Sequence, residues 1–227
     1  MQLNKIAIDF HNHSEFSYDS KLKLNDFLNC SLVDVFAITD HNDFRFHEIY
    51  SGGKVIYKIE NKYFITGEEI MTSDAGEVIG LFLNKKIKPY MTFEETIKEI
   101  KNQGGIVYIP HPYDFYRKGR PNLHIVKKYI DLVDFVEVFN AKYFTNIEVN
   151  LSYRFANIYK KLRGYGSDAH KVEDLGKGVV LLRSDDIELS KEKIIELLSF
   201  EENILSVIQK RRNILKAVMN KWRRYFV

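Results

Sequence analysis

The chain has 227 residues, enough for one sizeable domain, and at 45% hydrophobic and 29% charged it has the composition of a soluble globular protein. No apolar run is long enough to span a membrane, no basic and apolar leader precedes the first strand pattern, and the single cysteine, Cys30, excludes an internal disulfide, so a cytoplasmic protein is expected. The net charge of +3 is uneven: residues 209–227 carry seven cations and no acid, which leaves the remainder at −4.

In chain order, apolar strand patterns fall at 5–10, 33–39, 63–67, 78–83, 106–110, 132–139 and 179–182. Helical patterns fall between them at 24–30, 93–102, 123–130, 146–162 and 191–198. Thr92 followed by Glu95 predicts a capping box, and Asp74-Ala75-Gly76 predicts a hairpin turn. Strands alternating with helices predict βα units around a largely parallel sheet. With no linker dividing the chain, the expected organisation is one domain over 1–200 and a basic amphipathic helical extension over 201–227.

Functional side chains of α/β folds gather at the carboxyl ends of strands. Here the first pattern ends in His11-Asn12-His13, the second in Asp40-His41, the third in Glu68-Glu69 and another in His111. Glu137 and Asn140 lie on a further strand, and Asp168 and His170 precede the last. Five of the seven histidines take such positions, whereas His47 and His124 do not, and His47 and Asp43 read as polar loop groups. His11 and His13, two residues apart on an extended backbone, point the same way. Histidine and carboxylate donors without thiolate suit Zn, Mn or Fe, and so many donors suit two or three ions rather than one. These residues alone predict a multinuclear metallohydrolase.

The motifs HNH (11–13), TDH (39–41), GEE (67–69), HP (111–112) and GSDAH (166–170), the last followed by LGKG, resemble the PHP (polymerase and histidinol phosphatase) family over roughly 6–182. The resemblance implies a distorted (β/α)7 TIM-like barrel, two or three divalent ions and hydrolysis of a phosphomonoester, a small-molecule phosphate or a nucleotide, by a metal-bridging hydroxide. Carried over by position, His11, His13 and Asp168 hold the first ion, Glu69 bridges, and His111 joins the second. Asp19, His41 and His170 hold the third. The remaining ligand of the second ion is assigned to Glu137, with Asn140 as the alternative. Asp40 and His170 are candidate proton carriers or orienting groups. Arg117, Arg120 and Lys142, each just beyond a motif, are candidates to bind the substrate phosphate. The alternative function is a nuclease acting on single-stranded DNA or RNA ends, with nucleic acid held through the basic tail.

Overall fold

Residues 5–183 and 189–211 are described in the computed structural model of the chain. The elements are β1 (Lys5–Asn12), α1 (Leu24–Leu28), β2 (Val35–Ile38), α2 (Arg45–Tyr50), β3 (Ile56–Ile59), β4 (Lys62–Met71), β5 (Glu77–Leu81) and α3 (Phe93–Asn102). They continue with β6 (Ile106–Ile109), α4 (Leu123–Lys128), β7 (Phe135–Asn140), α5 (Asn146–Ile158), β8 (Leu162–Gly166), β9 (Gly178–Arg183), α6 (Lys191–Ser199) and β10 (Ile204–Gln209).

The strands form one curled sheet in the order β10-β9-β1-β2-β4-β5-β6-β7-β8, with β3 added beside β4. The parallel pairs are β1–β2, β2–β4, β6–β7 and β7–β8. The expected sheet is largely parallel and the expected barrel distorted; the sheet that forms is mixed. β5 runs antiparallel to both β4 and β6, and β9 runs antiparallel to β1 and β10. The reason is local: the turn at Asp74–Gly76 is too short for a crossover helix and reverses the chain, with the Thr72 amide on the Gly76 carbonyl at 2.9 Å. The architecture is therefore a mixed α/β fold built on a curled half-barrel.

The curl brings the two ends of the parallel region together. Beyond β8, the Asp168 amide donates to the His11 carbonyl at 2.8 Å, and the His13 amide donates to the Ala169 carbonyl at 3.0 Å. No side chain fits at Gly178, because its Cβ would collide with the Gly166 carbonyl. Inside the sheet, Phe10, Tyr108 and Phe135 stack with ring centroids 5.9–6.5 Å apart, a dry floor beneath the strand ends. Outside it, Phe27 of α1 and Phe46 of α2 pack on Phe36 and Phe64, centroids 5.2 and 5.8 Å apart in the tightest pairs. The capping box of α3 forms, with the Thr92 hydroxyl accepting from the Glu95 amide and Glu95 accepting in return. Phe93, Ile97 and Ile100 of that helix are buried.

Three expectations are corrected. The helix read over 146–162 ends at Ile158, and Leu162–Gly166 is the strand β8. The extension read as helical from 201 opens with a 3-10 turn and then the strand β10, whose β-branched Ile204, Val207 and Ile208 complete a ladder on β9. Residues 212–227 of that extension lie outside the described residues. His47 is no loop group but a buried member of α2, its Nδ1 3.0 Å from the Tyr57 hydroxyl and its Nε2 2.9 Å from the Ile38 carbonyl. Among the described residues no helix is long and apolar enough to cross a membrane.

Burial lowers the His47 pKa to about 4. A folded pKa below the unfolded value of 6.5 means that the neutral ring's full contribution is present above pH 6.5 and is lost as pH falls towards 4. In urea titrations between those limits, His47→Gln should flatten the slope of stability against pH by about 1.4 kcal/mol per pH unit. An unchanged slope would show that the ring takes up its proton without unfolding.

Candidate metal centre

Every parallel strand end at the curled rim delivers a ligand-type side chain. His11 and His13 leave β1 on one side, fully buried, with their Nε2 atoms 3.1 Å apart. Asn12, between them, turns the other way. Glu69 of β4 lies at the focus. Its Oε2 is 3.4 Å from the Nε2 atoms of both His11 and His13 and 3.1 Å from His41 Nδ1, while its Oε1 is 2.9 Å from His111 Nε2. One carboxylate thus faces four imidazoles. Asp168 closes the ring from beyond β8, its Oδ1 3.4 Å from His13 Nε2. His170 Nδ1 is 2.9 Å from the Asp168 carbonyl, and His170 Nε2 is 3.1 Å from Asp19. Asp19 is the outermost member, 39% exposed at its side chain and 3.8 Å from His41.

Among the described residues the ligand-type atoms form four overlapping groups of three, each within a span of 4.8 Å: His11, His13 and Asp168; His11, Glu69 and His111; His13, His41 and His170; and His41, Glu69 and Glu77. The backbone is bent to present them. His111 has φ of 29° and Asp168 of 47°, left-handed values that only a well-determined surrounding holds in non-glycine residues.

Glu77 was not anticipated from sequence. In the β4–β5 ladder Glu69 pairs with Ile79, so Glu77, two residues earlier on β5, shares Glu69's face. Its oxygens lie 3.7 Å from His41 Nδ1 and 3.5 Å from His111 Nε2. The signal was present in the hairpin turn, which fixes the antiparallel return.

Glu137 is held by four partners within the protein. Its Oε1 accepts from the Tyr108 hydroxyl at 3.1 Å and lies 3.0 Å from His11 Nδ1. Its Oε2 accepts from the His111 amide at 2.6 Å and from Asn140 Nδ2 at 3.0 Å. Four partners fill the four acceptor positions of a carboxylate, leaving none for an ion. Glu137 instead fixes the His11 ring so that Nε2 faces inward. Asn140, the alternative ligand, uses its amide on Glu137 and, at 3.2 Å, on Asp168.

Asp40 is likewise held by neighbouring donors. It accepts from the Ser14 amide at 2.6 Å and from the hydroxyls of Ser14 at 2.5 Å and Ser17 at 3.0 Å, and Ser17 in turn lies 3.1 Å from His13 Nδ1. It orients His13 through Ser17 and does not reach the rim.

Of the proposed phosphate binders, only Arg117 enters the centre. Its guanidinium pairs with Asp168 and lies 3.5 Å from Asp114 and 3.9 Å from Glu77. Arg120 is exposed and sits over the Phe115 ring, and Lys142 reaches Asp174 at 3.4 Å.

Burial governs the electrostatics. It lowers the His13 pKa, helped by His170 and His41. For His11 burial acts downward too, but Glu69, Glu137 and Asp168 outweigh it and hold the pKa well above the ordinary value. Asp168 stays well below the carboxylate range despite burial, chiefly because of Arg117. Burial and Glu69 push Glu77 up to about 8. The donor set fits divalent ions: among the described residues, the buried atoms Glu77 Oε2, His111 Nδ1 and Asp168 Oδ1 have no hydrogen-bond partner. Imidazole and carboxylate without thiolate is the donor chemistry of Zn, Mn or Fe.

A sheet carrying a buried histidine–carboxylate cluster on its rim suits the class of metal-dependent hydrolases, and the comparisons give the family. The model for the PHP-associated family matches residues 146–212. The uncharacterized protein MJ0417 of Methanocaldococcus jannaschii is 32% identical over 71% of this chain and 68% of its own. A two-domain protein from Bacteroides vulgatus, containing a predicted PHP-like metal-dependent phosphoesterase, superposes with a TM-score of 0.62 at 18% identity, over 87% of this chain and 63% of that one. The lesion-specific endonuclease EndoQ of Pyrococcus furiosus superposes with a TM-score of 0.65 at 12% identity, over 96% of this chain and 66% of that one. The chain belongs to the PHP-domain family. It spans about two thirds of these proteins' own lengths.

Replacing Glu137 by Gln should weaken divalent-ion binding by about tenfold to a hundredfold while leaving the thermal transition of the ion-free protein within a few degrees. Competition against a chromophoric chelator measures the first and calorimetry the second. Binding equal to that of the native chain would return Glu137 to a purely structural role.

Proposed function

We propose that this chain hydrolyses phosphomonoesters, either small-molecule phosphates or nucleotides. The observation that carries the reading is the shared carboxylate: Glu69 presents one oxygen to His11, His13 and His41 and the other to His111. That is the arrangement needed to hold neighbouring ions at a fixed spacing. In this reading His11, His13 and Asp168 hold one ion, and His111 with Glu69 and Glu77 a second. His41, His170 and Asp19 hold a third towards solvent. Bound divalent ions would activate a water and neutralise the charge that develops on the phosphoryl oxygens.

The chain's own groups set the geometry. Glu137 and the Ser17–Asp40 pair turn His11 and His13 inward. Arg117 stands at the centre with its guanidinium among carboxylates, where a phosphoryl group with two free oxygens would meet a two-pronged donor. The dry aromatic floor of Phe10, Tyr108 and Phe135 keeps bulk water from approaching from below, so substrate arrives only through the rim. Arg120 and Lys142, turned to other partners, take no part. A cytoplasmic setting belongs to the same proposal and is supported by the lone Cys30.

A second reading, cleavage of nucleic acid strands, is favoured by the likeness to EndoQ and by the cations of residues 209–227. One assay separates the two. p-Nitrophenyl phosphate, nucleoside monophosphates and a labelled single-stranded oligonucleotide would be offered with Mn²⁺ or Zn²⁺ and, separately, with chelator. Phosphate release from the monoesters is expected, abolished by chelator and reduced at least about a hundredfold in Asp168→Ala. Cleavage confined to the oligonucleotide would replace the phosphatase reading with the nuclease one.

A further inference from the structure

Tyr18 is an exposed aromatic, with 85% of its surface accessible, yet its ring is not isolated. Its ring lies on His41, centroids 5.1 Å apart and planes 26° from parallel. His41 in turn stacks on His13 at 4.4 Å. Three rings therefore rise in a column from the buried centre to the surface, and the outermost face is bare. The residue after Tyr18 is Asp19, fastened to His170, so the ring's backbone is tied to the rim. Its hydroxyl makes no hydrogen bond among the described residues, and the charges that act on it are those of the centre: Asp19, Glu77, Glu69 and Arg117.

The other exposed aromatics nearby are engaged. Phe115 carries the Arg120 guanidinium at 5.3 Å, and Tyr116 meets Phe144 edge-on at 5.0 Å. A solitary exposed aromatic is ordinary on a protein surface. One stacked on a ligand-type histidine with its outer face open is a platform. For a phosphate ester held at the centre, a planar ring laid on that face would extend the column by one member.

We propose that Tyr18 stacks on a planar heteroaromatic ring in the alcohol half of the substrate, so that this centre prefers nucleobase-bearing phosphate esters to aliphatic ones. The inference rests on the phosphoesterase reading but is tested apart from it. Stacking of a base on an aromatic side chain is worth roughly tenfold to a hundredfold in affinity.

The test uses the full chain loaded with Mn²⁺ and two unreactive ligands, the methylenephosphonate analogue of adenosine monophosphate and methylphosphonate, titrated calorimetrically. The native protein should bind the adenosine compound at least tenfold more tightly. Tyr18→Leu should bring that ratio near one, while methylphosphonate affinity and Mn²⁺ affinity stay as they were. Tyr18→Phe and Tyr18→Trp should keep the ratio, because the ring and not the hydroxyl is at work. A native ratio near one overturns the proposal, as does a loss in Tyr18→Leu that is equal for both ligands. Hydrolysis of adenosine monophosphate against glycerol 3-phosphate then tests the phosphoesterase reading: turnover of neither ester defeats that reading, whereas the binding ratio judges Tyr18 on its own.

Discussion

Four imidazoles turned towards one buried carboxylate set the terms for the whole rim. Glu69 has no access to water, and neither do His11, His13 and His111 around it. Burying such a group without compensation costs far more than a domain's net stability allows. Its compensation comes from three other strand ends, so the carboxylate's position on β4 dictates where the ends of β1, β2 and β6 stop. The pKa directions express the same constraint. Glu69 is held well below its usual range, against burial, by His11 and His41, whereas Glu77 on the next strand is pushed upward by burial and by Glu69 itself. Two carboxylates on one face of a hairpin cannot share the same positive surroundings equally without further charge.

Around this focus lies a second tier of carboxylates that never reach it. Glu137 receives four partners, and Asp40 receives three donors. Asp9 accepts the Ser167 amide at 3.0 Å and so fixes the start of the GSDAH segment. Each acts through a neighbour: Glu137 on His11, Asp40 on His13 by way of Ser17, Asp9 on the turn that carries Asp168. The division between acids that face the centre and acids that aim other side chains at it is a matter of hydrogen-bond saturation.

That division explains what was legible in the sequence. Strand-end histidines were legible because a strand's last residues are neighbours in sequence as well as in space, so HNH, TDH and HP announce themselves locally. Glu69 and Asp168 were legible by the same rule. Glu137 was found as a residue but not as a support, since the four partners that saturate it come from β1, β6, the rim after β6 and its own strand. Glu77 was missed because its place depends on the register of an antiparallel return, which a reading in parallel βα units passes over. The strand β10 was hidden for another reason: its six residues, ILSVIQ, do not alternate, and they abut a basic run whose composition favours a helical reading. Helix α2, with the sequence RFHEIY, carries too few residues to show a period.

The junction between the end of β8 and the end of β1 bears on how the protein comes to be. His11 belongs to the first strand, and Asp168 follows the eighth; they become neighbours only when the Asp168 amide finds the His11 carbonyl. Until the sheet has curled through all the intervening strands, no grouping of His11, His13 and Asp168 exists for an ion to find. During synthesis the nascent chain thus displays its two amino-terminal histidines long before their acidic partner emerges. An ion held by that grouping would therefore require the completed curl, whereas the groupings around Glu69 need nothing beyond His111.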